Sequence, residues 1–250
     1  MAVTLQEMVD RKVDVSGVNV CPACGLREPY AFTVPVWAAE NFKENSNGLC
    51  EKCKAEADKK ALREYESKQF EKHLELSGIP PGFTVWRKEI GNNTLARMIR
   101  DNKDKSLYIS GPNDVGKTRA ALFNLYLEIK DGTPGRFWRF NDFAEAYLQV
   151  CRKDAEPAGQ WLRRQMNTGI FVVDDICKRR VTQTAGELLY DMWDLVNFGE
   201  VSCRLWITAN ASLRDLAGRF ENADVGDAVV SRIDRLADPA EGRVKIIQAG

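Results

Sequence analysis

Eight consecutive residues, Gly111-Pro112-Asn113-Asp114-Val115-Gly116-Lys117-Thr118, carry the spacing G-x-x-x-x-G-K-[ST]. Each residue type answers a requirement of polyphosphate binding. Glycines let backbone N–H groups approach phosphate oxygens, and a helix opening at Lys117 adds the partial positive charge of its N-terminus. A lysine at 117 reaches the β and γ phosphates, and the Thr118 hydroxyl is a hard oxygen donor suited to Mg2+. The pattern lies between an apolar run, Leu107 to Ser110, and a helix-forming run from Arg119, the strand–loop–helix context the motif needs. It implies binding of ATP and, given further groups, its hydrolysis. Asp114 is the odd member, a carboxylate inside an anion cradle. Its side chain must point away from the phosphates, and Asp tolerates the left-handed backbone such loops use.

Further groups are present. A second apolar run, Gly169 to Val173, ends in Asp174-Asp175, acids delivered at the end of a strand. Asp174 there would hold Mg2+, and Asp175 would orient or deprotonate the attacking water. A third run, Leu205 to Thr208, leads into Ala209-Asn210, whose amide can hydrogen-bond the γ-phosphate or that water. Downstream, Val229 to Leu236 places Arg232 and Arg235 on a helical pattern. From the residues alone, either arginine is as readily a surface ion-pair partner as a group for the transition state.

Cys21-Pro22-Ala23-Cys24 and Cys50-Glu51-Lys52-Cys53 form two CxxC pairs separated by 25 residues. Two such knuckles can deliver four thiolates tetrahedrally, which points to Zn2+, with an iron or redox site as the alternative. The single histidine, His73, lies in a charged stretch and is expected in solvent. Cys151, Cys177 and Cys203 are scattered and read as small buried hydrophobes of a reducing compartment. Tyr30, Phe32, Trp37 and Phe42 supply aromatic surface between the pairs, where Arg27 and Lys43 are offset by Glu28, Glu40 and Glu44. That balance favours a protein partner for the head over DNA. Lys178-Arg179-Arg180, after the acids, is either a solvated loop or a contact for single-stranded DNA.

The elements that must position these groups follow from periodicity. Strands are expected at Leu107 to Ser110, Arg136 to Phe140, Ile170 to Val173, Leu205 to Thr208 and Val244 to Ile247. Helices are expected at Lys117 to Lys130, Asp142 to Arg152, Gln160 to Met166, Thr184 to Phe198 and Leu213 to Phe220. The alternation is that of an α/β domain with a five-stranded parallel sheet and flanking helices. Composition divides the chain into a zinc-binding head over 1–53, a charged helical connector over 54–75 and a body over 76–250. The 36 basic and 36 acidic residues cancel, so no global field draws the chain to nucleic acid or an anionic membrane. Met1 to Val20 lacks a continuous apolar core, which excludes a signal peptide or membrane anchor and implies the cytoplasm.

Taken together, Gly111 to Thr118, Phe171 to Ile176, Ile207 to Asn210 and Ser231-Arg232-Ile233 resemble Walker A, Walker B, sensor I and box VII of AAA+ ATPases. Their order, with Ser77-Gly78-Ile79-Pro80-Pro81-Gly82-Phe83 ahead of the core, is similar to DnaC/DnaI-type replicative helicase loaders and the related IstB-type transposition helpers. The resemblance runs from about Leu76 to the end of the chain. It implies that Arg232 is an arginine finger, Arg235 being the alternative, and that ATP sits between subunits of a spiral or ring. It further implies a head that grips a hexameric replicative helicase, in a bacterial or phage setting. Two departures, the Asp-Asp pair where many relatives have Asp-Glu and a chain that stops about where a sensor II arginine would follow, imply weak, switch-like turnover. The alternatives are a transposition helper and an ATP-gated binding module with negligible turnover.

Overall fold

A computed structural model describes residues 12–35, 49–83, 90, 93–153, 156–240 and 242–249. The chain divides into two compact units, Met1–Lys68 and Gln69–Gly250. In the first, strands β1 (Lys12–Val20) and β2 (Arg27–Pro35) pair antiparallel from Lys12↔Pro35 to Val20↔Arg27. The alternation of Val13, Val15, Val18 and Val20 with polar residues is the strand signal, although no strand is expected there from the apolar runs above. Helix α1 spans Glu51–Leu76, three residues earlier than the expected connector, so Cys53 lies in its first turn and Cys50 immediately precedes it. Trp37, Phe42, Lys43, Glu40 and Glu44 lie outside the described residues.

The second unit is built on a parallel sheet in the order β4-β5-β6-β3-β7. Its strands are β3 (Ser106–Ser110), β4 (Gly135–Arg139), β5 (Ile170–Ile176), β6 (Arg204–Ala209) and β7 (Val244–Gln248). Both faces are covered, which is why the strands read as unbroken apolar runs. Phe171, Val173 and Ile207 enter one core, and Ile170, Val172, Ile109 and Trp206 the other. Among the described residues no helix is long and apolar enough to cross a membrane.

Helix α2 (Thr94–Arg100) precedes the sheet, capped by the Asn93 side chain on the Leu95 N–H; its seven residues are too few to show a period in the sequence. The other helices are α3 (Lys117–Lys130), α4 (Phe140–Lys153), α5 (Ala158–Met166), α6 (Gln183–Asn197), α7 (Leu213–Leu216) and α8 (Ala223–Ala237). Two expectations are corrected. Phe140 opens α4 rather than ending a strand, and the helix expected to reach Phe220 stops at Leu216 before a 3-10 turn at Ala217–Arg219. There Leu216 and Phe220 are both buried on either side of the tighter turn.

Candidate functional site

The sheet order explains how distant motifs meet. Strands β5, β6 and β3 are neighbours and parallel, so the acids, Asn210 and the phosphate loop emerge at the same C-terminal edge, where ligands of open α/β sheets bind. A cleft of about 760 Å³ opens there, with Pro112, Asn113, Asp114, Gly116, Lys117, Thr118, Asp175 and Asn210 on its walls.

The loop is held by its own backbone. Gly116 has φ 87° and opens α3, a left-handed junction that a Cβ would strain. Lys117 is buried and its Nζ donates to the carbonyls of Gly111 at 2.8 Å and Pro112 at 2.6 Å. Burial holds the Lys117 amine below the usual lysine range, against the pull of Asp175, Asp174 and Asp114. Asp114 takes the left-handed conformation at φ 64°, which glycine adopts without strain. Asp114→Gly is therefore expected to bind ATP at least as tightly, by up to about fivefold once the like charge is gone; a large loss of affinity in a titration would refute this.

Strand β5 does not end at Val173. It runs to Ile176 through a register shift against β6 between Val173 and Ile176. That bulge re-aims the two acids, with Asp175 at φ 62° and Cys177 at φ 68°. Strained non-glycine residues of this kind concentrate at functional sites. Asp174 is buried and its Oδ1 accepts from the Thr118 hydroxyl at 2.7 Å and the Thr208 hydroxyl at 2.7 Å. Burial pushes its carboxyl above the usual range, and the two hydroxyls oppose that shift. The Asp175 N–H donates to Thr208 Oγ1 at 2.8 Å, and Asp175 Oδ1 accepts from the Asn210 amide at 2.9 Å. Lys178 Nζ lies 3.5 Å from the other oxygen, Asp175 Oδ2.

The donor set suits a hard divalent cation: a hydroxyl, Thr118, in direct contact with a carboxylate, Asp174. Thr208, Lys178, Cys177 and Arg219 also belong to this site, and motif spacing did not single them out. Thr208 had a signal, a polar residue ending an apolar strand; Arg219 had none.

The downstream arginines differ. Arg232 is tied within its own subunit: it ion-pairs with Asp194, donates to the Tyr190 hydroxyl at 2.7 Å and lies over the rings of Tyr190 and Phe198. Arg235 is exposed in the last turn of α8. Lys178, Arg179 and Arg180 are all exposed.

In the first unit the four cysteines converge. The Sγ atoms of Cys21, Cys24, Cys50 and Cys53 all lie within 4.8 Å of one another, with Cys24 and Cys50 at 3.7 Å. Tetrahedral zinc with bonds of about 2.3 Å sets sulfur–sulfur edges of about 3.8 Å. The first pair occupies the β1–β2 turn, where Cys21 N–H donates to the Leu26 carbonyl and Gly25 N–H to that of Cys21. A backbone hydrogen bond from Cys50 is the main influence pulling the Cys21 thiol down to about 6. His73 is in the later part of α1 and outside this cluster.

The α/β unit shares its fold with AMPPCP-bound DnaA from Aquifex aeolicus, at 15% identity and a TM-score of 0.51 over 68% of this chain and 51% of that one. It is also similar to the DnaC helicase loader (24% identity, 62% and 86% of the two chains, TM-score 0.47) and to DnaI (13%, 72% and 94%, TM-score 0.49). No family model and no curated protein matches the chain.

Proposed function

We propose that this chain is a weak, assembly-dependent ATPase that loads a hexameric replicative helicase onto DNA in the cytoplasm. The observation that carries the ATPase reading is the continuous set of hydrogen bonds Thr118–Asp174–Thr208–Asp175–Asn210, closed at one cleft with Lys117. Loop N–H groups and Lys117 bind the phosphates of ATP. Thr118 and Asp174 would hold Mg2+, which would supply charge neutralisation to the bound triphosphate. Asp175, fixed by Asn210, positions a water for in-line attack and accepts its proton. The water oxygen then bonds to the γ-phosphorus as the bond to the β–γ bridging oxygen breaks, and ADP leaves.

The loader reading is supported by the motif order, by a fold shared with DnaA and by the four-cysteine head, which we assign to zinc and to gripping the helicase. Exposed Lys178-Arg179-Arg180, on the loop after the acids, suits a single-stranded DNA contact that senses the nucleotide. Arg232 is assigned as the trans-acting group at a shared site, with self-association into a spiral or ring.

The test is capture of a hexameric replicative helicase by the full chain with ATP, alongside ATPase rates with and without that helicase and single-stranded DNA. Capture is expected to be lost in a Cys21→Ser/Cys24→Ser variant. Asp175→Asn is expected to capture normally while its stimulated turnover falls by roughly 100-fold or more. Failure to capture by the native chain, or turnover untouched in Asp175→Asn, would remove the loader or the hydrolytic reading respectively.

A further inference from the structure

The turn after Asn210 brings a positive group to the cleft that no motif names. The single helical turn α7 tightens into the 3-10 turn Ala217–Arg219, whose flanks are anchored by buried Leu216 and Phe220. Val181 N–H donates to the Arg219 carbonyl at 2.9 Å and Glu221 N–H to the Val181 carbonyl at 2.9 Å. This parallel bridge ties the turn to the segment that follows Asp174-Asp175. From the other side, α8 presses so close that a Cβ on Gly226 would meet the Ala217 carbonyl oxygen at 2.7 Å. The backbone that carries Arg219 is therefore fixed from two directions.

Arg219 itself is exposed, and it lines the same cleft as Lys117, Thr118, Asp175 and Asn210. Lys178, the other cation on that wall, is already spent on Asp175 at 3.5 Å. Among the described residues Arg219 forms no ion pair. Its charge is felt inside the site, where it is the main influence opposing the upward push of burial on the Cys177 thiol, two residues past Asp175.

We infer that Arg219 is a cis-acting phosphate reader, whose guanidinium contacts the terminal phosphate of a nucleoside triphosphate bound in this cleft and makes the site prefer ATP to ADP. The inference rests on the ATP reading of the cleft. A planar guanidinium offers parallel N–H donors that match phosphate oxygens in pairs, so it discriminates by geometry as well as by charge. Lys117 lies at the loop and serves β and γ phosphates alike. Arg219 lines the cleft together with Asn210 and Asp175, the groups assigned to the γ-phosphate and its water, and its turn is bridged to the segment that follows those acids; a contact to the γ-phosphate vanishes when that phosphate leaves. It also differs from Arg232 in kind: it serves its own subunit's cleft, so its effect does not need assembly.

The test is titration of the full chain with the non-hydrolysable analogue AMPPNP and with ADP, both with Mg2+, at protein concentrations below assembly. Arg219→Ala is expected to bind AMPPNP about tenfold more weakly than the native chain and ADP within about twofold, because one charge-assisted contact is lost to the triphosphate alone. Arg219→Lys recovers part of the preference, and thermal melting of both variants stays at the native value. Lys117→Ala loses both nucleotides. Should Arg219→Ala keep the native ratio of the two affinities, or weaken both equally, while Lys117→Ala loses both, the phosphate-reader role is wrong and the ATP reading stands. Native affinity in Lys117→Ala overturns the ATP reading and this inference with it.

Discussion

Chelating the zinc proposed for the four-cysteine cluster is expected to unfold the β1–β2 hairpin while the P-loop unit goes on binding ATP with its affinity unchanged to within about twofold, because few of the head's described side chains are buried. Of its residues with described burial, the buried ones are Cys21 and Cys50, and α1 buries none. An isolated two-stranded hairpin is marginal in water. The sulfur cluster joins the hairpin turn to the start of α1, at spacings that tetrahedral zinc accepts. Binding at such a site contributes on the order of 10 kcal/mol, and the thiolates that bind it exist as a set only when the head is folded. The comparison is far-UV circular dichroism and limited proteolysis before and after chelation, with released zinc measured against protein. Cys50→Ser is expected to behave as the chelated protein does. A hairpin that resists proteolysis without metal, or iron in place of zinc by metal analysis, would show that something else holds the head together.

What could be read from the sequence was what is local. The phosphate loop is eight contiguous residues, and the demands on Gly116, Lys117 and Thr118 are met within one strand–loop–helix step. The β5 and β6 motifs were also visible, because strands covered on both faces are apolar throughout. The bulge was not. Nothing in Val173-Asp174-Asp175-Ile176 announces that three steps on β5 oppose two on β6, yet that mismatch gives one acid to the two hydroxyls and the other to Asn210. Arg219 was hidden for a second reason. It reaches the cleft through a chain reversal fixed by Val181 and Gly226, contacts that depend on packing far along the chain. The hairpin is a different case, since the valine alternation was present but broken at Gly17.

The site's electrostatics follow from the same packing. Burial works against charge on both Asp174 and Lys117. A divalent cation at Asp174 and Thr118 removes the cost of the buried carboxylate, so cation and triphosphate should bind with mutual gain.

Arg232→Ala is expected to keep ATP binding and to lose assembly-stimulated hydrolysis by roughly a thousandfold, the lower end of what a trans-acting guanidinium supplies. The structure complicates the variant, since Arg232 also joins α8 to α6 through Asp194 and Tyr190. A loss of turnover alone would not separate a missing charge from a loosened helix pair. Two further measurements do. Asp194→Ala with Tyr190→Phe removes the ion pair and the hydroxyl bond but keeps the arginine; a trans role predicts turnover at or above the native level, whereas a merely structural role predicts the same loss as Arg232→Ala. Mixing subunits is stricter. Lys117→Ala lacks a working cleft but keeps Arg232, and Arg232→Ala keeps the cleft. If the arginine acts across an interface, the mixture hydrolyses ATP where neither variant alone does, and a mixture that stays inactive while still assembling would return Arg232 to a role inside its own subunit and direct the search to exposed Arg235. The same mixture made with Arg219→Ala should stay at that variant's own rate, because a phosphate reader in cis cannot be lent by a neighbour.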